Sequence, residues 1–253
     1  EQIELLRKAE GYLSGDSFVR ESLGRAISNL AVIKGKQGKF DEQIALLKES
    51  SGMLPNDALV KKNLAAAYNN RALNSPELKT QERISLLEAA LKLDPKNHTT
   101  LNNLSTVMTK QAVDDFKAGS PSKAISLLEK ALKVDPSNKS AQSNLAIVYH
   151  NEALKKGEEG KPEDEIHLLN KALSLAGGNR TIKADLASAY NDQAVSVEKK
   201  GDHKQELQLL LKASKLDAEN PVIKDNLAKA KQRDAGKDKK TDTGSAGKKK
   251  HDS

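Results

Sequence analysis

Apolar and small residues recur along this chain in two interleaved helical patterns, each returning after 40 or 41 residues. The first is Ile-x-Leu-Leu. It occurs as Ile3, Leu5, Leu6; Ile44, Leu46, Leu47; Ile84, Leu86, Leu87; Ile125, Leu127, Leu128; Ile166, Leu168, Leu169; and, with Leu first, Leu207, Leu209, Leu210. A small residue stands six positions after the start of most copies, at Ala9, Ala90, Ala131, Ala172 and Ala213. Such a stripe predicts a helix with a notch where another helix can approach closely. The second pattern is Asn-Leu-Ala-x-x-Tyr, read from Asn63 to Tyr68 and from Asn144 to Tyr149, with variants at Asn103 to Met108 and Asp185 to Tyr190. Eight residues after its Leu comes another small residue: Ala31, Ala72, Ala112, Ala153 or Ala194. We term the helix of the second pattern A and that of the first B.

Stop signals separate the helices. Asp94-Pro95 and Asp135-Pro136 end two B helices, because proline cannot continue a helix and disfavours helix in the residue before it. Gly177-Gly178 does the same in another copy. Between A and B, Gly119 and Gly201 end one helix while Ser120 and Asp202 cap the next, with Pro121 at a first helical position. The spacing predicts B helices at 2–12, 41–52, 80–93, 121–134, 163–175 and 203–215. It places A helices at 17–34, 57–73, 98–117, 139–156, 180–199 and 220–232. From about Asp234 the sequence holds six Lys, four Asp and no apolar side group larger than Ala, so residues 233–253 are expected to form a disordered Lys-rich tail.

A fixed period in this range is the signature of a solenoid. The two patterns together resemble the tetratricopeptide repeat (TPR), a helix-turn-helix unit. The resemblance rests on Asn144 to Tyr149 with Ala131 and Pro136, recurs over five full pairs and covers residues 1–232. It implies an all-α fold: an α-solenoid of stacked antiparallel helix pairs wound into a right-handed superhelix, with the A helices lining a concave groove. Here that means one helix B, five A/B pairs and a terminal capping helix A. Two departures stand out. The family's unit is about 34 residues, and the surplus here lies between the Leu of helix A and the Ile of helix B. Seven added residues turn a helix by two turns with only about 20° of drift, so the same face stays inward on an A helix about 10 Å longer. The family's small residue at the start of helix B is kept as Ala124 but replaced by Gln43, Arg83, Glu165 and Glu206. A longer helix A is expected to open that crossing.

Composition narrows the chemistry. Aromatic residues make up 3% and Trp is absent, so the core is thin layers of Leu, Ile and Ala rather than one large interior. The absence of Cys excludes a disulfide framework, a thiolate metal site and a cysteine nucleophile. No apolar run reaches the length of a membrane span, and residues 1–11 lack an apolar signal core; the expected compartment is the cytoplasm. The sequence opens without Met and in the second half of a unit, which points to a fragment or processed form of a longer protein. The formal net charge is +7, but Lys and Glu alternate along most of its length, which argues against nucleic acid as the partner.

In the TPR family, the groove-facing position just before the Leu of helix A is often Asn, and arrays of it hold an extended peptide. That position reads Ser22, Asn63, Asn103, Asn144, Asp185 and Asn226; seven residues on, the same face offers Asn29, Asn70, Lys110, Asn151 and Asp192. A side-chain amide both donates and accepts, so a ladder of amides can satisfy successive peptide groups of an extended ligand. The bland alternative is that these side chains bond to neighbouring helices or to water. Lys110, Arg25 and Lys229 are too scattered for the family's pocket that holds a ligand's terminal carboxylate. The five histidines show no ligand spacing, and no nucleophile motif or phosphate-binding loop occurs. The expected activity is therefore non-enzymatic, without cofactor or metal. The protein is read as a protein-interaction module or scaffold that takes an extended peptide or partner helix in its groove. The alternatives are a spacer whose basic tail tethers it to nucleic acid or an anionic surface, and self-association through the N-terminal repeat face.

Overall fold

The computed structural model describes residues 1–244, with side chains through Asp234. Twelve α-helices and no strands occur among the described residues. B-type helices are α1 (Gln2–Tyr12), α3 (Phe40–Met53), α5 (Thr80–Leu93), α7 (Pro121–Val134), α9 (Pro162–Ala176) and α11 (His203–Leu216). A-type helices are α2 (Ser17–Lys36), α4 (Ala58–Asn74), α6 (His98–Lys117), α8 (Lys139–Glu158), α10 (Arg180–Lys199) and α12 (Pro221–Gly244). Four of the A helices have 20 residues, about 30 Å at 1.5 Å per residue. In those four units the surplus therefore lies in helix A.

Every A helix begins at the same phase because one side chain stops its first amides from going unpaired. Asp16, Asp57, Asn97, Asn138, Asn179 and Asn220 each accept from backbone N–H groups two or three residues on. Gly119, Gly177 and Gly201 take φ of 75°, 50° and 80° at the turns foreseen for them, a region where any other residue is strained.

The protein forms two compact bodies. The first holds Glu1–Ala118 and Ser126–Ala141, the second Gly119–Ile125 and the described residues from Gln142 onward. In the first body each helix packs on its sequence neighbours, and α2 also touches α4. Pairing is antiparallel: a Cβ on Gly24 near the start of α2 would meet Leu54, which follows α3, and one on Gly35 at the end of α2 would meet Gln43 at the start of α3. One layer of the core is Ala31, Ile44, Leu47, Leu64 and Ala67, drawn from α2, α3 and α4. In the second body the equivalent layer is Ala194, Val197, Leu209, Leu210 and Ala230, from α10, α11 and α12. The small residues of both stripes are the close-approach points, and Ala31, Ala72, Ala112, Ala131, Ala153, Ala172 and Ala213 are each fully buried. Ser50 and Ser105 use the same proximity differently, donating hydroxyls across the pair to the carbonyls of Gly24 and Ala131.

Two expectations are corrected. The first concerns the room for large residues at the start of helix B. That room comes from glycine on helix A: Gly35 faces the buried Gln43, and Gly157 faces Glu165 at 2.8 Å from a hypothetical Cβ. At Arg83 the preceding α4 is cut short by Ser75-Pro76, and the guanidinium donates to the carbonyls of Ala72, Ser75 and Leu78. Glu206, 2% exposed, is held by Arg233 at 2.8 Å and His203 at 3.1 Å. The second correction concerns the tail. α12 runs to Gly244, so 233–244 of the predicted tail continue the last helix; no proline follows Pro221, and Arg233 pairs with Glu198 and Glu206. Residues 245–253, the rest of that predicted tail, lie outside the described residues.

Candidate peptide-binding face

The predicted ladder positions fall along the A helices in two rows that behave differently. The inner row is half-buried at Asn63, Asn103, Asn144, Asp185 and Asn226. Three of its members bond to the preceding A helix. Asn103 Nδ2 donates to Asn69 Oδ1 at 2.9 Å, Asn226 Nδ2 donates to Asn191 Oδ1 at 2.8 Å, and Asp185 Oδ2 lies 2.6 Å from His150 Nε2. The partners occupy one register, six residues after the inner-row position of the preceding helix. This is the bland alternative for those three side chains: they staple one A helix to the next. Each amide retains a second donor and spare acceptor capacity.

The outer row, Asn29, Asn70, Lys110, Asn151 and Asp192, is exposed in every copy. Three residues further along the same face stands a row that the sequence patterns did not single out: Val32, Leu73, Val113, Leu154 and Val195. Leu73 and Leu154 are 42% and 40% exposed, and the valines are half-buried. Residues three apart on a helix are surface neighbours, so each outer-row polar group sits beside an aliphatic side chain. The signal that identifies this row is its constant phase at the repeat spacing, the same criterion that picked out the asparagines. Tyrosines add little to the face. Tyr68 and Tyr190 are half-buried and Tyr149 is buried, and Lys48, Lys212 and Lys171 lie over their rings at 5.2 to 5.9 Å.

In the first body the face is amide-rich and carries the single cation Lys110 among the ladder positions. In the second it is acidic. Burial, together with the carboxylates of Asp192 and Asp185, holds the Glu165 carboxyl above its ordinary range. Asp192 takes one hydrogen bond, from Asn191 Nδ2 at 3.3 Å. Among the described residues neither Glu165 nor Asp192 has an ion-pair partner. Near the start of α10 the same face opens into a cleft of about 420 Å³, walled by Ala146, Ile147, Ala176 and Ile182 with His150 and Thr181 at its rim. Ile147 is 52% exposed there. No group of metal-ligating side chains comes together among the described residues, and no described helix is long and apolar enough to cross a membrane.

Antiparallel pairs in sequence order, notches of buried alanine, and an A helix that reaches the next A helix past its own B partner are the packing expected of the repeat that the sequence resembles. The described helices form an all-α array of antiparallel pairs that resembles the TPR. No protein-family profile and no curated protein sequence matches it. Solved structures similar to this TPR-like array include a TPR-repeat protein from Bacteroides fragilis, at 14% identity and a TM-score of 0.42, covering 83% of this chain and 98% of that one. A thermophilic TPR protein from Thermus thermophilus is similar at 18% identity and a TM-score of 0.26, over 82% of this chain and 98% of that one. YrrB, described as a TPR protein with an unusual peptide-binding site, is similar at 15% identity and a TM-score of 0.27, over 87% and 96%.

Proposed function

We propose that this TPR-like array is a protein-interaction module, a scaffold whose A-helix face holds an extended peptide or a partner helix. The observation that carries the reading is the exposed outer row of polar side chains, Asn29, Asn70, Lys110, Asn151 and Asp192, each beside a half-exposed aliphatic residue. Amides satisfy the polar backbone of a ligand, and the aliphatic row removes apolar ligand surface from water. The inner row of Asn63, Asn103, Asn144, Asp185 and Asn226 has a second part, keeping successive A helices aligned so that the outer row stays evenly spaced. Asn103, Asp185 and Asn226 serve it through the contacts just described.

A library of random 12-residue peptides displayed on phage, selected on the whole protein, tests this. Peptides retained by it are expected to bind Asn70→Ala/Asn151→Ala at least several-fold more weakly, since each lost hydrogen bond is worth about 1 kcal/mol. Asn103→Ala is expected to lower the melting temperature more than it lowers affinity. Retention that survives the outer-row changes but disappears when 245–253 is deleted would replace the groove with a basic tether.

A further inference from the structure

We infer that the groove between α8 and α10 selects partner segments in which a lysine or arginine lies four or five residues from an aliphatic side chain. This rests on the peptide-binding reading above and adds to it which peptides are chosen. The two ends of this groove differ in chemistry. At one end the cleft walled by Ile147 and Ile182 exposes apolar surface to solvent, with more than half of Ile147 uncovered. A branched aliphatic side chain is the occupant that such a wall stabilises, because burying it there removes apolar area on both sides.

Several charged groups near this part of the protein are already paired. Arg233 is held by Glu198 and Glu206, and Lys229 by Asp225 at 2.6 Å. Asp192 and Glu165 have no such partner among the described residues, and burial first, then repulsion from Asp192 and Asp185, raises the Glu165 carboxyl. A cation from outside the protein removes that repulsion. Leu154 and Val195 stand three residues beyond Asn151 and Asp192 on their helices, with Leu154 40% exposed. Lysine and arginine carry long methylene stems below their charge, so one of these side chains can lie along Leu154 and Val195 with its head at Asp192. A small cation cannot make the apolar contact, and an acidic segment is repelled. The spacing follows from α10: Ile182 and Asp192 are ten residues apart, about 15 Å along a helix, which four or five residues of extended peptide span at about 3.3 Å each.

The test repeats the 12-residue peptide selection on the whole protein and on Glu165→Gln/Asp192→Asn, then measures selected peptides by fluorescence anisotropy. Selection on the natural sequence is expected to enrich Lys or Arg four or five positions from Leu, Ile or Val. Those peptides should bind Glu165→Gln/Asp192→Asn and Ile147→Ser roughly fivefold more weakly or worse, the range for one or two partly exposed charge contacts. Asp192→Glu, which keeps the charge, should restore most of the binding. Melting of the variants at or above that of the natural sequence excludes loss of fold as the cause. Peptides that enrich without a basic residue at that spacing, or that bind Glu165→Gln/Asp192→Asn as tightly, overturn the selectivity while leaving the peptide-binding reading in place. A protein that retains no peptide at all overturns both.

Discussion

At the residue scale, the fold is tuned by pairs whose sizes compensate. Gly35 leaves room for Gln43, and Gly157 for Glu165. Alanine in place of Gly35 would gain helix propensity of about 1 kcal/mol, yet its Cβ would overlap the Gln43 amide and drive that buried side chain out. Gly35→Ala is therefore expected to realise only part of that gain, and Gln43→Ala on top of it to recover the rest. A double-mutant cycle from urea melts measures this; a coupling near zero would mean that the two residues do not share the space. Glu165 gives a second expectation at this scale. Burial raises its carboxyl, so the folded protein holds that proton more tightly than the unfolded one. Stability from this group is complete below the ordinary value of 4.5 and is lost as pH rises through the folded value. Glu165→Gln should melt higher than the natural sequence at pH 7 and match it at pH 4; a gap that widens on acidification contradicts the assignment.

At the element scale, sequence and structure agree closely because the information that sets a helix is local. Pro95, Pro136 and Gly177 mark ends, and Asp or Asn at one phase marks starts, so five of the six A helices and all the B helices fall within two residues of their expected bounds. The end of α12 was not legible: residues 233–244 lack a stop signal, and the contact that docks Arg233 onto Glu206 spans 27 residues of sequence. The candidate face was legible in part for a similar reason. A fixed phase exposes which positions line it, but whether Asn103 looks outward or toward Asn69 depends on how two A helices approach each other, which no local pattern encodes. The aliphatic row was hidden because Leu73 and Leu154 directly follow buried residues of the core stripe and read as more of the same. Arg83 is the element-scale feature most open to test. It closes the shortened end of α4 with three charged hydrogen bonds to carbonyls, at 2.6, 2.7 and 3.2 Å. Arg83→Ala should cost about 2 kcal/mol and speed hydrogen exchange at the end of α4 ahead of the rest of the first body. Uniform acceleration throughout that body would show instead that Arg83 acts on global stability.

At the scale of the whole molecule, helix pairs within each body rest on their neighbours, so the stability of a body is close to a sum over its pairs and their interfaces. Deleting 44–83, one unit in phase, should leave a folded protein whose helical ellipticity falls in proportion to its length. Deleting 44–85 turns the following stripe by about 200° and should abolish cooperative unfolding; equal behaviour of the two would refute the additive picture. The compensating pairs also decide where such an array can be recombined. Gly35 with Gln43, and Gly157 with Glu165, each straddle the turn between helix A and helix B. A splice at that turn, the natural place to divide a hairpin, would set a glycine against alanine in one hybrid and crowd two bulky groups in another. A splice after helix B, near Pro55 or Pro95, carries each matched pair across intact. The heritable module of this protein is therefore the A-then-B hairpin, and gene duplications or engineered grafts that respect that frame will stack, whereas those cut half a module out of step will not.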